Sequence, residues 1–539
     1  MKRLLRFIPA FAALLVLGCN SDPIDDNPAP DDDDTQNPSV HEIVTLSDYD
    51  LTFSNGDKKT LTVTADITGV TVDASEFVLQ DEDGKEPQYV SINSYEYVSE
   101  NVISLTLRDK RPADSNIKKY TELVYVVHAP TSVRSDAPLR LRSTPYFPVV
   151  RITTTVPQNY IDKNNWTPGT IEIDGGGDYS DLEKMNAEIK GRGNSTWSWE
   201  KKPYAIKLES KKEVMDMPKH KRWCLIANYM DRTHMRNRVA YHISENTGLA
   251  YTTRNRYVEL YFNDKYQGLY LLTEQIKEDK NRVDITELSP SDTGDAITGG
   301  YLLEFDTNYD EDKRFHTSAS YIPVNLKYPD AADITSEQWD YIKGYVNSLD
   351  EAVWKLGQGL DDSSEVFRML DRQSMIDFWI VFELMANHEV LHPKSVYFHK
   401  DRGGKLIAGP VWDFDYQTLT QSTANSWINY NLSYYYSEFP WFEQNWWNVL
   451  LSKDLEFKHD VKTRWNELYP FLTTIPDYIE AQQEYISDAE ARNYQRWPSI
   501  NGTGNPNGDE RLSFNDAVKR LKDTYTSRLL WMNTQIAGW

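Results

Sequence analysis

Apolar and polar positions alternate in twos through the first part of the chain and shift to a helical period in its second half. Between residues 41 and 145 short alternating runs recur: Leu61-Thr62-Val63, Tyr89-Val90-Ser91-Ile92, Val102 to Leu107 and Leu123 to Val127. Turn residues such as Asn55-Gly56-Asp57 and Asp81 to Gly84 separate them. A period of two puts one face of each strand into a core. Strands at this spacing predict a small all-β sandwich of immunoglobulin type. It holds no cluster of chemically active side chains, so a spacer is the plain expectation.

The pattern changes near Thr144 and Pro145. Val149 to Thr155, Thr170 to Ile173, Tyr204 to Leu208 and Tyr301 to Phe305 read as strands. Tyr257 to Phe262 and Gln267 to Leu272 form a hairpin around Asn263-Asp264. Arg232 to Glu245 is predicted helical, with Met235, Val239, His242 and Ile243 spaced for one face. Beyond Ile334 the helical spacing dominates, as in Trp339, Ile342, Val346, Leu349 and Val353. It returns in Phe514, Val518, Leu521, Tyr525 and Leu529, behind a Ser513–Asp516 capping box. Residues 146–539 therefore predict an α+β domain, β-rich first and α-rich second, in two lobes.

The N-terminus predicts export. Lys2, Arg3 and Arg6 precede an apolar run from Phe7 to Leu17, too short for a bilayer span of roughly 20 residues and suited to a removed signal peptide. Val16-Leu17-Gly18-Cys19 matches a lipobox, with Cys19 the residue to be acylated, so residues 1–19 form the signal. Residues 20–40 are rich in Asp, Pro and Asn and predict a disordered acidic tether. An acidic stretch behind the lipidated cysteine resembles the export signal of surface lipoproteins in some diderm bacteria. The expectation is an outer-membrane or cell-surface lipoprotein that meets the membrane through its anchor only.

Composition narrows the partners. The 539 residues carry a net charge of −24, part of it from seven aspartates between Asp22 and Asp34. Phosphate backbones need a basic surface, so nucleic acid is not expected as a partner. Of the two cysteines, Cys19 goes to lipid and leaves Cys224 without an intramolecular disulfide partner.

Two segments hold candidate chemistry. In Glu188 to Trp197 a strand runs into a glycine loop, and a second strand, Tyr204-Ala205-Ile206-Lys207-Leu208, follows. Ala205 and Lys207 share one of its faces. Tyr-Ala-Ile-Lys has the pattern of the kinase strand whose lysine binds the α- and β-phosphates; from these residues alone an exposed strand lysine is the favoured reading. In Asn387 to Asp415 a helix ends near His392-Pro393, a hairpin turns at Gly403-Gly404, and Trp412-Asp413-Phe414-Asp415 follows. Alternation puts Asp413 and Asp415 on one side of an extended strand, a pair of oxygen donors that suits Mg²⁺. A catalytic carboxylate, a hairpin and then a metal-binding aspartate is the order of parts in kinases.

Taken together these pieces resemble the CotH kinases, the family of spore-coat protein H. The resemblance rests on Lys190 to Ser195, Lys201 to Lys207, Arg236-Asn237, Tyr257 to Tyr261, Gly268 to Glu274, Gly300 to Glu304 and Pro410 to Asp415. They occur in the family's order and run from about residue 150 to the C-terminus. The resemblance implies an atypical protein-kinase-like domain that moves phosphate from ATP to Ser or Thr of a protein acceptor. It implies nucleotide contacts at Gly191, Arg192, Gly193, Lys207 and Glu274, with Lys207 on the phosphates. It implies Mg²⁺ at Asp413, with Asp415 and Ser395 beside it. Where the family carries a catalytic Asp and a metal-binding Asn, this chain carries Glu389 and Ser395. Glu389 is the expected base, and a degenerate kinase fold used for binding is the competing reading.

Two rival readings remain. His388-Glu389-Val390-Leu391-His392 matches H-E-x-x-H, a zinc-protease signature when it lies on a helix. Pro393 directly behind it argues for a helix end. Trp427, Tyr430, Tyr434 to Tyr436, Trp441, Trp446 and Trp447 form an aromatic stretch suited to glycan stacking or, more simply, to packing.

Overall fold

The computed structural model describes residues 43–53, 58–66, 72–81, 83–110, 121–135, 138–143, 147–391, 393–430, 445–498, 507–509 and 511–539. The expected lipobox with Cys19, the acidic tether, His392, Tyr434 to Tyr436 and Trp441 lie outside the described residues.

The N-terminal region is β-rich. Its strands are β1 (Ile43–Leu46), β2 (Asp50–Phe53), β3 (Lys58–Asp66), β4 (Phe77–Gln80), β5 (Val90–Ser99), β6 (Val102–Asp109), β7 (Thr121–His128), β8 (Val133–Arg134) and β9 (Leu139–Ser143). One sheet has the order β1-β3-β6-β5 and the other β2-β9-β7-β4, with β8 on β7. Val63, Leu105, Val124 and Leu141 are fully buried in one core that draws on both sheets. Ile103, Leu105 and Leu107 alternate with half-exposed neighbours along β6, as a strand with one buried face should.

The next seven strands close into a barrel. They are β10 (Val149–Thr154), β11 (Thr167–Asp174), β12 (Leu182–Gly191), β13 (Tyr204–Val214), β14 (Met217–Ile226), β15 (Asn255–Phe262) and β16 (Lys265–Glu274), in the order β10-β11-β12-β13-β14-β16-β15. Parallel pairing of β10 with β15, Val150 opposite Leu260, closes the ring. Ile189, Ile206, Trp223 and Leu260 fill its interior. The β15–β16 hairpin turns at Asn263 and Asp264, both with positive φ (47° and 61°), as a tight two-residue hairpin turn requires.

Helix α1 (Arg236–Glu245) connects β14 to β15. It starts later than the apolar spacing suggests. The Asp231 carboxylate accepts from Thr233 N and Arg236 N and holds residues 231–235 as a turn. His242 is only half-buried and stacks on Tyr478 at 3.9 Å.

A second sheet, β18-β19-β17-β20-β21, is built from β17 (Tyr301–Phe305), β18 (Arg314–His316), β19 (Pro323–Tyr328), β20 (Val396–Lys400) and β21 (Leu406–Ala408). Into the same apolar core as this sheet pack α2 (Ser336–Gly357), α3 (Ser364–Met369), α4 (Arg372–Leu384), α5 (Trp446–Lys453), α6 (Leu455–Leu472), α7 (Ile475–Arg496), which lies along β16, and α8 (Phe514–Ala537). Every residue of α4 from Ser374 to Leu384 is buried, which makes it the central helix. Thr335 and Gln338 form a capping box at α2, and Ser513 caps α8 by accepting from Asp516 N. Trp446 and Trp447 are buried in this core, and Trp427 packs on Trp379 and Trp531. These described members of the aromatic stretch are packing residues.

The described part of the H-E-x-x-H segment, residues 388–391, is not helical. Helix α4 ends at Leu384, Ala386 takes φ 49°, and His388 and Glu389 lie in the irregular segment that follows. The helical face that a zinc site would need is therefore not formed.

Candidate active site

A cavity of about 1560 Å³ lies between the outer face of the barrel at β12 to β14 and the loops that flank β17 and β20. Gly191, Arg192, Gly193, Glu389, Ser395, Asp413 and Asp415 all line it. The glycine loop enters from the barrel side. Gly193 has φ 80°, and a Cβ there would run into Thr196 Oγ1. A Cβ at Gly191 would run into the Trp197 ring. Arg192, between them, stacks on Trp412 at 5.2 Å and interacts electrostatically with Asp413.

The carboxylates enter from the other side. Asp413 takes φ 71°, in the left-handed region that an L-residue occupies only when its surroundings hold it there. The surroundings are specific: Asn387 Nδ2 donates to the Asp413 carbonyl at 3.1 Å, and Phe414 N donates to Asn237 Oδ1 at 2.7 Å. Asn507 Nδ2 donates to the Asp415 carbonyl at 2.8 Å. Positive φ at Asp413 ends simple strand alternation, so the two side chains do not project as from a regular strand. They hydrogen-bond to each other instead. Burial pushes both carboxyls up, and the charge of Asp413 adds to the effect on Asp415.

Glu389 is buried, and its Oε2 has no hydrogen-bond partner among the described residues. Burial, and next the charge of Asp413, hold its carboxyl well above the usual range. Asp306 lines the same cavity and is pushed up to about 6 by burial and by Glu304. It accepts from Ser395 N at 3.1 Å, and Ser395 itself takes φ 53°. Among the described residues no three His, Cys, Asp or Glu side chains are grouped tightly enough to enclose a metal ion.

Two expected nucleotide contacts fall outside the lining. Lys207 shares the outer barrel face with Ala205, which does line the cavity, but lies one step farther along β13. Its ammonium is engaged by Glu188 on β12 at 2.7 Å. Glu274 is fully buried; it accepts from Tyr251 Oη at 2.9 Å and Arg254 N at 3.0 Å and faces Arg282 at 3.6 Å. That set of partners makes it a packing anchor for β16.

The cavity also holds Trp166, Arg222, Lys277 and Lys327, which the sequence did not single out, and Lys190 and Lys201, which stood in the matching segments without a role. Lys201 is completely buried, donates to the carbonyls of Ala227 (2.9 Å) and Leu269, and sits over Tyr270. Burial drives its ammonium far below the usual lysine range. The signal for Lys190 and Arg222 was present as alternation, since each stands on the face opposite to the apolar barrel interior.

A family comparison fits this arrangement of glycine loop, barrel and acidic pair. The profile of the CotH kinase protein family matches residues 189–532, well over half of the chain. The chain belongs to this family, and a kinase-like fold and function come with it. No curated protein matches it. Among solved structures, a GspB Siglec domain aligns with 23% of this chain at 16% identity and a TM-score of 0.16. The match spans 65% of that domain, just under two thirds of its length, and is too loose to bear on fold or function.

Proposed function

We propose that this chain is an extracytoplasmic kinase, anchored through Cys19, that transfers the γ-phosphoryl group of ATP to a Ser or Thr hydroxyl of a protein. The barrel and the helical part act as two lobes around the nucleotide, and the N-terminal region is an immunoglobulin-type spacer. The observation that carries this reading is the unpartnered, buried Glu389 Oε2 beside the Asp413–Asp415 pair, across one cavity from the glycine loop.

The donor set fits Mg²⁺ in kind. Asp413 and Asp415 offer hard oxygen donors, and their hydrogen bond places a proton on Asp415 that a bound cation would displace. Mg²⁺ held there would offset the charge on the phosphate oxygens. Glu389 is poised to take the acceptor's hydroxyl proton at Oε2, because a carboxylate with a raised pKa is a stronger base. Arg192 supplies positive charge beside Asp413, where the transferred group would carry negative charge. The acceptor is an extracytoplasmic protein, at the outer membrane or cell surface.

A second reading, nucleotide binding without transfer, is favoured by one observation. Ser395 stands where the family carries Asn, and its hydroxyl is a poorer ligand for a hard cation. The test separates the two. ATP with Mg²⁺ should raise the melting temperature of the full chain, and Asp413→Asn should remove the rise. Radiolabel from γ-labelled ATP on an acceptor supports transfer. Binding with no label, restored to transfer in Ser395→Asn, supports the second reading. No response to ATP would sink both.

A further inference from the structure

Three cations converge on the cavity without a carboxylate of their own. Lys190 projects from β12, Arg222 from β14, and Lys277 from the segment behind β16; all three line it. Among the described residues no ion pair involves any of them, although the surrounding acids are close. Those acids are committed elsewhere. Glu188 is held by Lys207 at 2.7 Å. Glu304, at 3.1 Å, and Glu311 are both held by Lys327. Asp330 acts on Arg222 and Lys277 only from a longer range.

Trp166 takes the place of an anion. Lys190 Nζ lies 4.9 Å from its ring centre and the Arg222 guanidinium 4.7 Å; Lys207 Nζ is farther off at 5.9 Å and is already neutralised by Glu188. A ring face holds a cation in position without neutralising it. The like charges therefore act on one another: burial first, then Arg222, lowers the Lys190 ammonium, and burial lowers Lys277, with Lys327 and Arg222 adding to it. A cluster fixed by an aromatic ring and left uncompensated is arranged to receive an anion from the cavity.

Position selects the anion. Arg192 stands two residues after Lys190, roughly 6.6 Å along an extended chain, and Arg192 faces Asp413. A polyphosphate chain with its terminal group at Asp413 is long enough to bring its inner phosphates to Lys190 and Arg222. We infer that Lys190 and Arg222, held over Trp166, with Lys277 near Arg222, bind the inner phosphates of the nucleotide in place of Lys207, which stands farther from the ring and is paired with Glu188. This rests on the nucleotide reading of the cavity given above.

The test is ATP affinity, measured by calorimetry on the full chain with Mg²⁺. Lys190→Met, Arg222→Met and Lys277→Met should each weaken ATP by about tenfold or more, the usual size of a lost charge-assisted contact. Lys207→Met should change it by less than about threefold, because its charge is already offset by Glu188. Trp166→Leu should weaken ATP and Trp166→Phe should restore most of the loss. Inorganic tripolyphosphate should compete with ATP in the wild type and not in Arg222→Met. Loss of ATP binding in Lys207→Met alone would overturn the assignment and leave the nucleotide reading intact. Unchanged ATP affinity with a raised KM for the acceptor would overturn it too, giving the cluster to an acidic acceptor. A wild type that binds neither ATP nor tripolyphosphate would overturn both the assignment and the reading beneath it.

Discussion

Phe414 donates its backbone N–H to Asn237 Oδ1 at 2.7 Å, and this bond ties the segment that carries Asp413 and Asp415 to helix α1. Asn237 is buried and is itself fixed, because its Nδ2 donates to Asn228 Oδ1 at 3.0 Å. The adjacent Arg236 pairs with Asp231 and with Asp509 (2.7 Å), and its Nε donates to the Thr418 carbonyl at 2.7 Å. The Arg-Asn pair at the start of α1 thus fastens both sides of the acidic segment.

Asn237→Ala removes the acceptor and leaves a buried N–H unpaired. It should cost about 1–3 kcal/mol of stability, read by urea unfolding. It should also weaken Mg²⁺-dependent ATP binding, since Asp413 is held in a strained conformation that relaxes when its supports go. A variant that loses stability yet binds Mg²⁺-ATP like the wild type would show that the segment's direction does not depend on Asn237.

Much of this arrangement was legible in the sequence, and the limits are physical. Period-two runs gave strands β3, β5, β6 and β7, and Asn263-Asp264 gave the hairpin turn, because these signals are local. Closure of the barrel was not legible. It rests on Val150 pairing with Leu260, residues far apart whose partnership no local pattern encodes. Alternation placed Ala205 and Lys207 on one face correctly but could not say that the cavity ends between them. Lys207 lies between Glu188, which pairs with it, and Arg222, which lines the cavity, so what takes Lys207 out of the lining is its ion pair rather than its register. The same alternation overreached at Asp413, where positive φ breaks the strand geometry from which a shared face was inferred. The aspartates were identifiable by type and spacing; the hydrogen bond between them was not.

The pair Arg528–Glu383 ties α8 to the central helix α4. It is completely buried, with Nη2 2.7 Å from Oε1. Arg528 also donates to the carbonyls of Thr423 and Ser426, at 2.7 and 2.9 Å, and Glu383 accepts from the backbone N–H of Ile428 and Asn429. Removing one partner strands the other charge without water. Arg528→Met should therefore cost about 3–5 kcal/mol. The double variant Arg528→Met with Glu383→Met should cost less than the sum of the two single changes, because no charge is left behind. Chemical unfolding of the four proteins gives the coupling, and strictly additive losses would contradict it.

His220 on β14 gives a prediction about pH. Its Nδ1 accepts from Arg222 N at 2.9 Å, so the neutral ring carries its proton on Nε2, and protonation at Nδ1 would lose that bond. Burial first, and the charge of Arg282 next, lower its pKa to about 4 from 6.5. Between those values the unfolded chain binds a proton that the folded chain refuses. Stability from this residue is therefore complete above 6.5, falls as pH drops through the window, and levels off below 4. The loss should be about 2–3 kcal/mol, at about 1.4 kcal/mol per pKa unit over that window. Carboxyls such as Asp306, pushed up to about 6, work in the opposite direction over the same range. A single pH curve would mix the two, so the comparison must be with a variant. His220→Asn keeps an acceptor for Arg222 N and does not titrate. Measured by urea unfolding at pH 7 and pH 4.5, it should gain on the wild type as the pH falls. A constant difference between the two proteins across that interval would show that His220 titrates alike in the folded and unfolded chains.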